Sequence, residues 1–189
     1  MTSREIDEYR ELRATIRERS TARLWIVLAG FTAWAALMMA TAAFVELPIA
    51  TLVPLLLLAL TFDIVYAIHT AVERVGRYIQ VFFEDPGRDR GWEHQAMEFG
   101  RRFPGGGVDP LFCWPFWGAI VLNLIPAAVV NPQPGPIEWT VVGGAHVLVA
   151  ARIFIARRRA AVQRAVDLER FTTLKAEAAG QVRAAPGQP

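Results

Sequence analysis

The stretch PIATLVPLLLLALTFDIVYAIHTAVERVGRYIQVFF, Pro48 to Phe83, decides the fold. It opens on Pro48, a residue suited to the first turn of a helix, where its missing N–H has no partner to lose. A wall of apolar residues follows from Leu52 to Leu60, and Asp63 is the only charge before Glu73. From there the pattern turns amphipathic, with Val75, Ile79 and Phe82 set against Glu73, Arg77, Gln80 and Glu84. Such a pattern predicts a membrane-crossing helix that continues beyond the hydrocarbon, either out of the bilayer or along it.

Three more segments approach the roughly 20 residues that cross a hydrocarbon core of about 30 Å. The predicted fold is therefore all-α and polytopic, with four transmembrane helices at about 24–46, 48–72, 111–130 and 137–156. A hydrophobic fraction of 53% and a mean hydropathy of +0.29 agree, being high for a soluble chain.

Charge sets the topology. Every Lys and Arg lies before Leu24, between Val72 and Leu111, or from Arg152 onward. The connections Glu46–Pro48 and Asn131–Pro136 carry none. Arg-rich loops stay on the cytoplasmic side, so the expected protein is a multi-pass protein of the cell inner membrane with both termini inside and two tight outer turns. A net charge of +2 argues for no nucleic-acid partner. The single cysteine, Cys113, rules out an intramolecular disulfide, and nineteen Arg against one Lys suggest a GC-rich prokaryotic source.

The whole chain reads as one transmembrane domain with helical extensions on the cytoplasmic side. Residues 1–23 form an amphipathic helix, opened by a capping-box spacing at Thr2 and Glu5. A cytoplasmic loop at 73–110 holds amphipathic helices, including Trp92–Phe99, and is broken by Pro86, Gly87 and Gly105–Gly107. A further helix covers 157–180, with Val162, Val166 and Leu174 as its stripe, and 181–189 are a disordered tail. These extensions pack as a bundle or lie on the membrane surface. In the first span, Ala29, Ala33, Ala36, Ala40 and Ala43 form a smooth face for a neighbouring helix, leaving Phe31, Trp34, Met38 and Val45 to meet lipid. In the third, Pro115 and Pro126 interrupt the hydrogen-bond ladder. Trp25, Trp92, Trp114, Trp117 and Trp139 are the expected interfacial anchors.

Ionisable groups inside a membrane default to a functional reading. Counted from the outer ends at 1.5 Å per residue, Asp63 and Arg152 both lie roughly 22 Å deep, and Asn123 and His146 both fall near the midplane. Asp63 shares a face with Ala59, Ala67 and Thr70, which places it toward the bundle interior. Asp63, Asn123, His146 and Arg152 thus form a candidate polar cluster that carries or gates a proton or ion. The plainer reading is interhelical hydrogen bonding, with Arg152 reaching the lipid phosphates. His69 and His146 sit roughly 18 Å apart along the normal and cannot share a haem, and His69 and His94 read as solvated interfacial side chains. No cofactor or metal site is expected. No phosphate-binding loop, zinc signature or catalytic motif occurs. Arg101, Arg102, Arg157, Arg158 and Arg159 form a surface for anionic lipid or an acidic partner.

The expected function is non-enzymatic: a structural or interaction protein that acts through its cytoplasmic helices on copies of itself, a cytoplasmic partner or the lipid bilayer. Homo-oligomerisation fits that role. The alternatives are an ion- or proton-conducting subunit using the polar cluster, and a membrane enzyme acting on lipid.

Overall fold

A computed structural model describes residues 2–44, 47–84, 91–103, 109–129 and 135–184. Among them the fold is all-α: α1 (Ser3–Phe44), a 3-10 turn (Pro48–Thr51), α2 (Leu52–Phe82), α3 (Trp92–Arg102), α4 (Cys113–Leu122), α5 (Ile125–Val129) and α6 (Pro136–Ala184). Three helices are long and apolar enough to cross a membrane: α1, α2 with its leading turn, and α6. The expected breaks at Pro86–Gly87 and Gly105–Gly107, the turn residues Val45–Glu46 and 131–134, and the tail from Ala185 lie outside the described residues.

Local chemistry explains the helix ends. The Thr2 backbone N–H donates to Glu5 Oε2 at 2.7 Å and the Glu5 N–H donates to Thr2 Oγ1 at 3.3 Å, which closes the capping box. Pro48 opens the 3-10 turn, not α2 itself. The apolar segment 111–130 is two helices. Pro126 has no N–H to give the Leu122 carbonyl, and its ring crowds that oxygen. The helix therefore breaks at Asn123–Leu124, where the Leu124 N–H donates to Val121 O at 3.2 Å. Pro115 interrupts nothing, contrary to expectation: it sits in the first turn of α4, where no N–H partner is needed. Helix α6 runs through Gly180 to Ala184, past the expected end, because one glycine costs a helix only about 1 kcal/mol.

The chain divides into two compact units. Unit 1 takes residues 1–20, 70–108 and 160–189; unit 2 takes residues 21–69 and 109–159.

In unit 2 the core is aromatic and aliphatic. Phe116, Phe62, Leu58, Val65 and Ile153 are fully buried, and the Phe116 ring meets Phe31 at 5.0 Å and Phe62 at 5.2 Å. This reverses the faces expected for the first span. Ala29, Ala33, Ala36, Ala40 and Ala43 are exposed, whereas Trp34 is buried and Phe31 half-buried. Large rings bury far more apolar area than alanines, and a buried indole N–H must find an acceptor. Close approach occurs instead at Gly30, where a Cβ would overlap Thr61 Cγ2 on α2.

In unit 1, Ile79 is fully buried, and Tyr78, Phe82 and Phe171 form a ring cluster with centroids 4.7–6.3 Å apart. The expected stripe on the last helix is not what packs: Val162 and Leu174 are exposed, and Ala160 and Asp167 are buried. Arg164, Asp167 and Arg170 are spaced for i,i+3 pairing, and Asp167 does meet Arg170 at 3.9 Å, but it also takes Arg74 of α2 at 3.4 Å, while Arg164 takes Glu73 at 2.8 Å. Ion pairs between helices accompany the Tyr78–Phe82–Phe171 seam.

Candidate functional site

The polar residues of unit 2 resolve into two separate groups. The first is a closed knot around Asn123, which is fully buried at the break between α4 and α5. The Trp34 indole N–H donates to Asn123 Oδ1 at 2.9 Å. Asn123 Nδ2 donates to the Thr51 carbonyl at 2.8 Å and to His146 Nε2 at 3.0 Å. His146 Nδ1 donates to the Val142 carbonyl at 2.7 Å.

These partners dictate one assignment of protons. The indole N–H can only donate and the Thr51 carbonyl can only accept, which orients the amide. His146 Nδ1 faces an acceptor and must carry the ring proton, leaving Nε2 to accept. Every polar atom of the Asn123 side chain is then used. A proton added at Nε2 would set donor against donor, so the knot offers no relay. What it does is tie α1, the 3-10 turn, α4 and α6 together, at the point where α5 packs on that turn.

The second group is Asp63 and Arg152. Arg152 Nη2 lies 2.9 Å from Asp63 Oδ1, an ion pair by distance whose angle does not make it a hydrogen bond. The Arg152 guanidinium also lies 5.7 Å from the Tyr66 ring centroid. Both side chains are nearly half exposed, at 47% and 43%. Asp63 therefore does not face the interior, contrary to the expectation drawn from Ala59, Ala67 and Thr70, and Ala67 is itself exposed. The sequence grouped the four residues by depth; the structure pairs Asp63 with Arg152, and Asn123 with His146.

Other sequence-predicted positions fall at the surface. Trp25, Trp114 and Trp139 are exposed, while Trp117 is half-buried and donates to the Ala150 carbonyl at 3.3 Å. Arg157, Arg158 and Arg159 are exposed, with the Arg158 guanidinium 4.4 Å from the Phe154 ring centroid. His69 is buried beside Arg23 Nη1 at 3.2 Å, which corrects its reading as a solvated residue.

Unit 1 holds a cleft of about 930 Å³, walled by α1, α2, α3 and α6. Ile16, Val72, Met97 and Leu168 supply apolar wall, and Arg77, Arg164, Glu73 and Glu93 supply charge. Arg77 is buried: Nη1 donates to Gln80 at 2.7 Å and Nη2 to Glu93 at 3.3 Å, and its Nε has no hydrogen-bond partner. Glu93 also takes Arg13 Nη1 at 2.8 Å. Gly76 makes room for this carboxylate, since a Cβ there would lie 2.9 Å from Glu93 Oε2.

Glu84 fixes the start of α3. Its two oxygens accept the backbone N–H groups of Glu93 at 2.9 Å and His94 at 3.0 Å, and Oε2 lies 2.8 Å from His94 Nδ1. Burial alone would raise its pKa, but the Glu93 N–H and the two His94 contacts outweigh it and hold the carboxyl below the usual range. Among the described residues, no group of His, Cys, Asp and Glu is arranged to hold a metal ion.

Trp34, Thr51, Glu84 and Glu93 were missed from sequence. Only Trp34 carried a signal: an indole N–H inside an apolar segment requires an acceptor. No protein-family model matches the chain, and no curated protein or solved structure is significantly similar to it.

Proposed function

We propose that this chain is a non-enzymatic inner-membrane protein that crosses the bilayer four times and works through the helices of unit 1. The segment 111–130, although broken at Asn123–Leu124, serves as the third crossing. A break at membrane depth is tolerable where protein groups satisfy the freed backbone, and Asn123 and the Thr51 carbonyl supply such contacts. Both termini then lie in the cytoplasm, with unit 1 as the working surface. Self-association or a cytoplasmic partner would use that surface.

One observation carries this reading. Unit 1 is a packed helical module in its own right, cross-braced by the Arg13–Glu93–Arg77 and Arg164–Glu73 pairs and opened by a cleft. The closed Asn123 knot supports the same view, because a conducting path needs polar groups that can exchange partners.

The test uses the full chain in proteoliposomes. Proton and potassium flux should equal that of empty vesicles and should not change in Asp63→Asn or His146→Ala. Energy transfer between labelled copies should persist on lipid dilution and fall when Ala165→Trp fills the cleft. Flux above background that is lost in either polar variant, with the fold intact, would replace this reading with conduction.

A further inference from the structure

Helix α3 has one apolar face that no described residue of unit 1 covers, its Trp92 and Ala96 edge lying at the mouth of the cleft. At 100° per residue, Trp92, Ala96, Phe99 and Phe103 fall within about 60° of arc. All four are exposed, Trp92 at 68%, and the Phe99 and Phe103 rings lie 5.1 Å apart. The helix is held firmly behind this face. Glu84 caps its first turn, and Glu93, about 100° around from Trp92, is buried between Arg13 and Arg77. An apolar face kept exposed on a clamped helix implies an external occupant.

We propose that this face of α3 docks on the interfacial layer of a bilayer containing anionic lipid. The inference rests on the membrane reading given above. Three features select lipid. Tryptophan beside phenylalanine, on an otherwise polar helix, is the composition of an in-plane interfacial helix. Arg102 stands about 80° from Trp92, exposed at the rim of the face, where a guanidinium reaches phosphate. The helix is only 11 residues, about 16 Å long. Three partly exposed aromatic rings offer each copy less than the roughly 600 Å² per partner, about 1,200 Å² in total, that a stable protein interface buries, so a second copy is a poor occupant. Arg101 makes the distinction sharp. It lies about 180° from Trp92 and pairs with Glu98 at 2.6 Å, so it plays no part in docking. The two arginines, one surface by sequence, have different roles.

The experiment places the full chain, with Cys113→Ala, in nanodiscs of phosphatidylcholine with or without phosphatidylglycerol. A spin label at Ala96→Cys reports the face, one at Glu98→Cys the opposite side, and one at Leu56→Cys reports insertion of α2. Docking predicts that label 96 is shielded from a water-soluble relaxation agent in anionic discs while label 98 is not. Arg102→Gln should lower the docked-to-free ratio about fivefold, the effect of one arginine near an anionic surface. Arg101→Gln should leave it unchanged, and Trp92→Ser with Phe99→Ser should abolish shielding. Equal accessibility at 96 and 98 with label 56 in lipid would overturn the docking inference alone. Shielding of 96 only when two copies share a disc, with spin–spin broadening, would assign the face to a second copy and overturn it too. Label 56 in water would overturn the membrane reading itself.

Discussion

Replacing Asn123 with alanine removes three hydrogen bonds at once. The Trp34 indole N–H loses its acceptor, and His146 Nε2 and the Thr51 carbonyl lose their donor. All sit in a site from which water is excluded, since Asn123 has no exposed surface and Trp34 and His146 are buried. Interhelical hydrogen bonds inside membranes average about 0.6 kcal/mol, and buried bonds in water-soluble proteins contribute about 1 kcal/mol. Three bonds place the loss at about 2–3 kcal/mol, before any cavity cost. Trp34→Phe removes one bond and keeps the ring, so it should cost about 1 kcal/mol or less. The two changes share a contact and should be less than additive, with a coupling of about 0.5–1 kcal/mol. Reversible unfolding of the full chain in mixed micelles reads all three values. A loss under about 0.5 kcal/mol for Asn123→Ala, or strict additivity with Trp34→Phe, would refute the knot as the tie between these elements.

Three further outcomes follow from the same geometry. Glu84 has a folded pKa below its ordinary 4.5, so its cap on α3 contributes fully above that pH and is lost as pH falls through the lower folded value; amide exchange in α3 should accelerate on acidification, and Glu84→Gln should remove that dependence. Gly30→Ala forces a Cβ into Thr61 and should destabilise by about 1–2 kcal/mol despite alanine's better helix propensity, and adding Thr61→Ala should restore stability. Asp63→Asn removes the carboxylate from Arg152, but Arg152 lies close enough to the inner edge to reach lipid phosphates, so the change should cost under about 1 kcal/mol, less than Asn123→Ala in the same unfolding assay.

Element type was legible because long apolar runs and a capping box are local signals. The helices ending at Phe44, Phe82 and Ala184 follow from such runs, and the glycines within them, Gly30, Gly76, Gly143, Gly144 and Gly180, do not break them. Facing was less legible. Alanine spacing suggested one packed side of α1, but the side that packs is chosen by Trp34 and Phe31 finding Asn123 and Phe116, contacts across more than eighty residues. Depth counting matched Asp63 to Arg152 and Asn123 to His146 because both members of each pair advance at the same rise from a turn. It did not give side-chain direction, so one expected cluster became two. The charges of unit 1 were invisible as a site, since Glu84 and Glu93 resemble ordinary surface acids until α3 sets its first turn on Glu84 and carries Glu93 to Arg13 and Arg77.

The most direct test is the side of the membrane on which each turn lies. In spheroplasts carrying the full chain with Cys113→Ala, single cysteines at Leu47, Gly135, Arg10 and Lys175 would be treated with an impermeant maleimide. Four crossings with cytoplasmic termini predict labelling at 47 and 135 in intact cells, and at 10 and 175 only after permeabilisation. Labelling of either terminus in intact cells, or protection of position 47 or 135 until lysis, would contradict it.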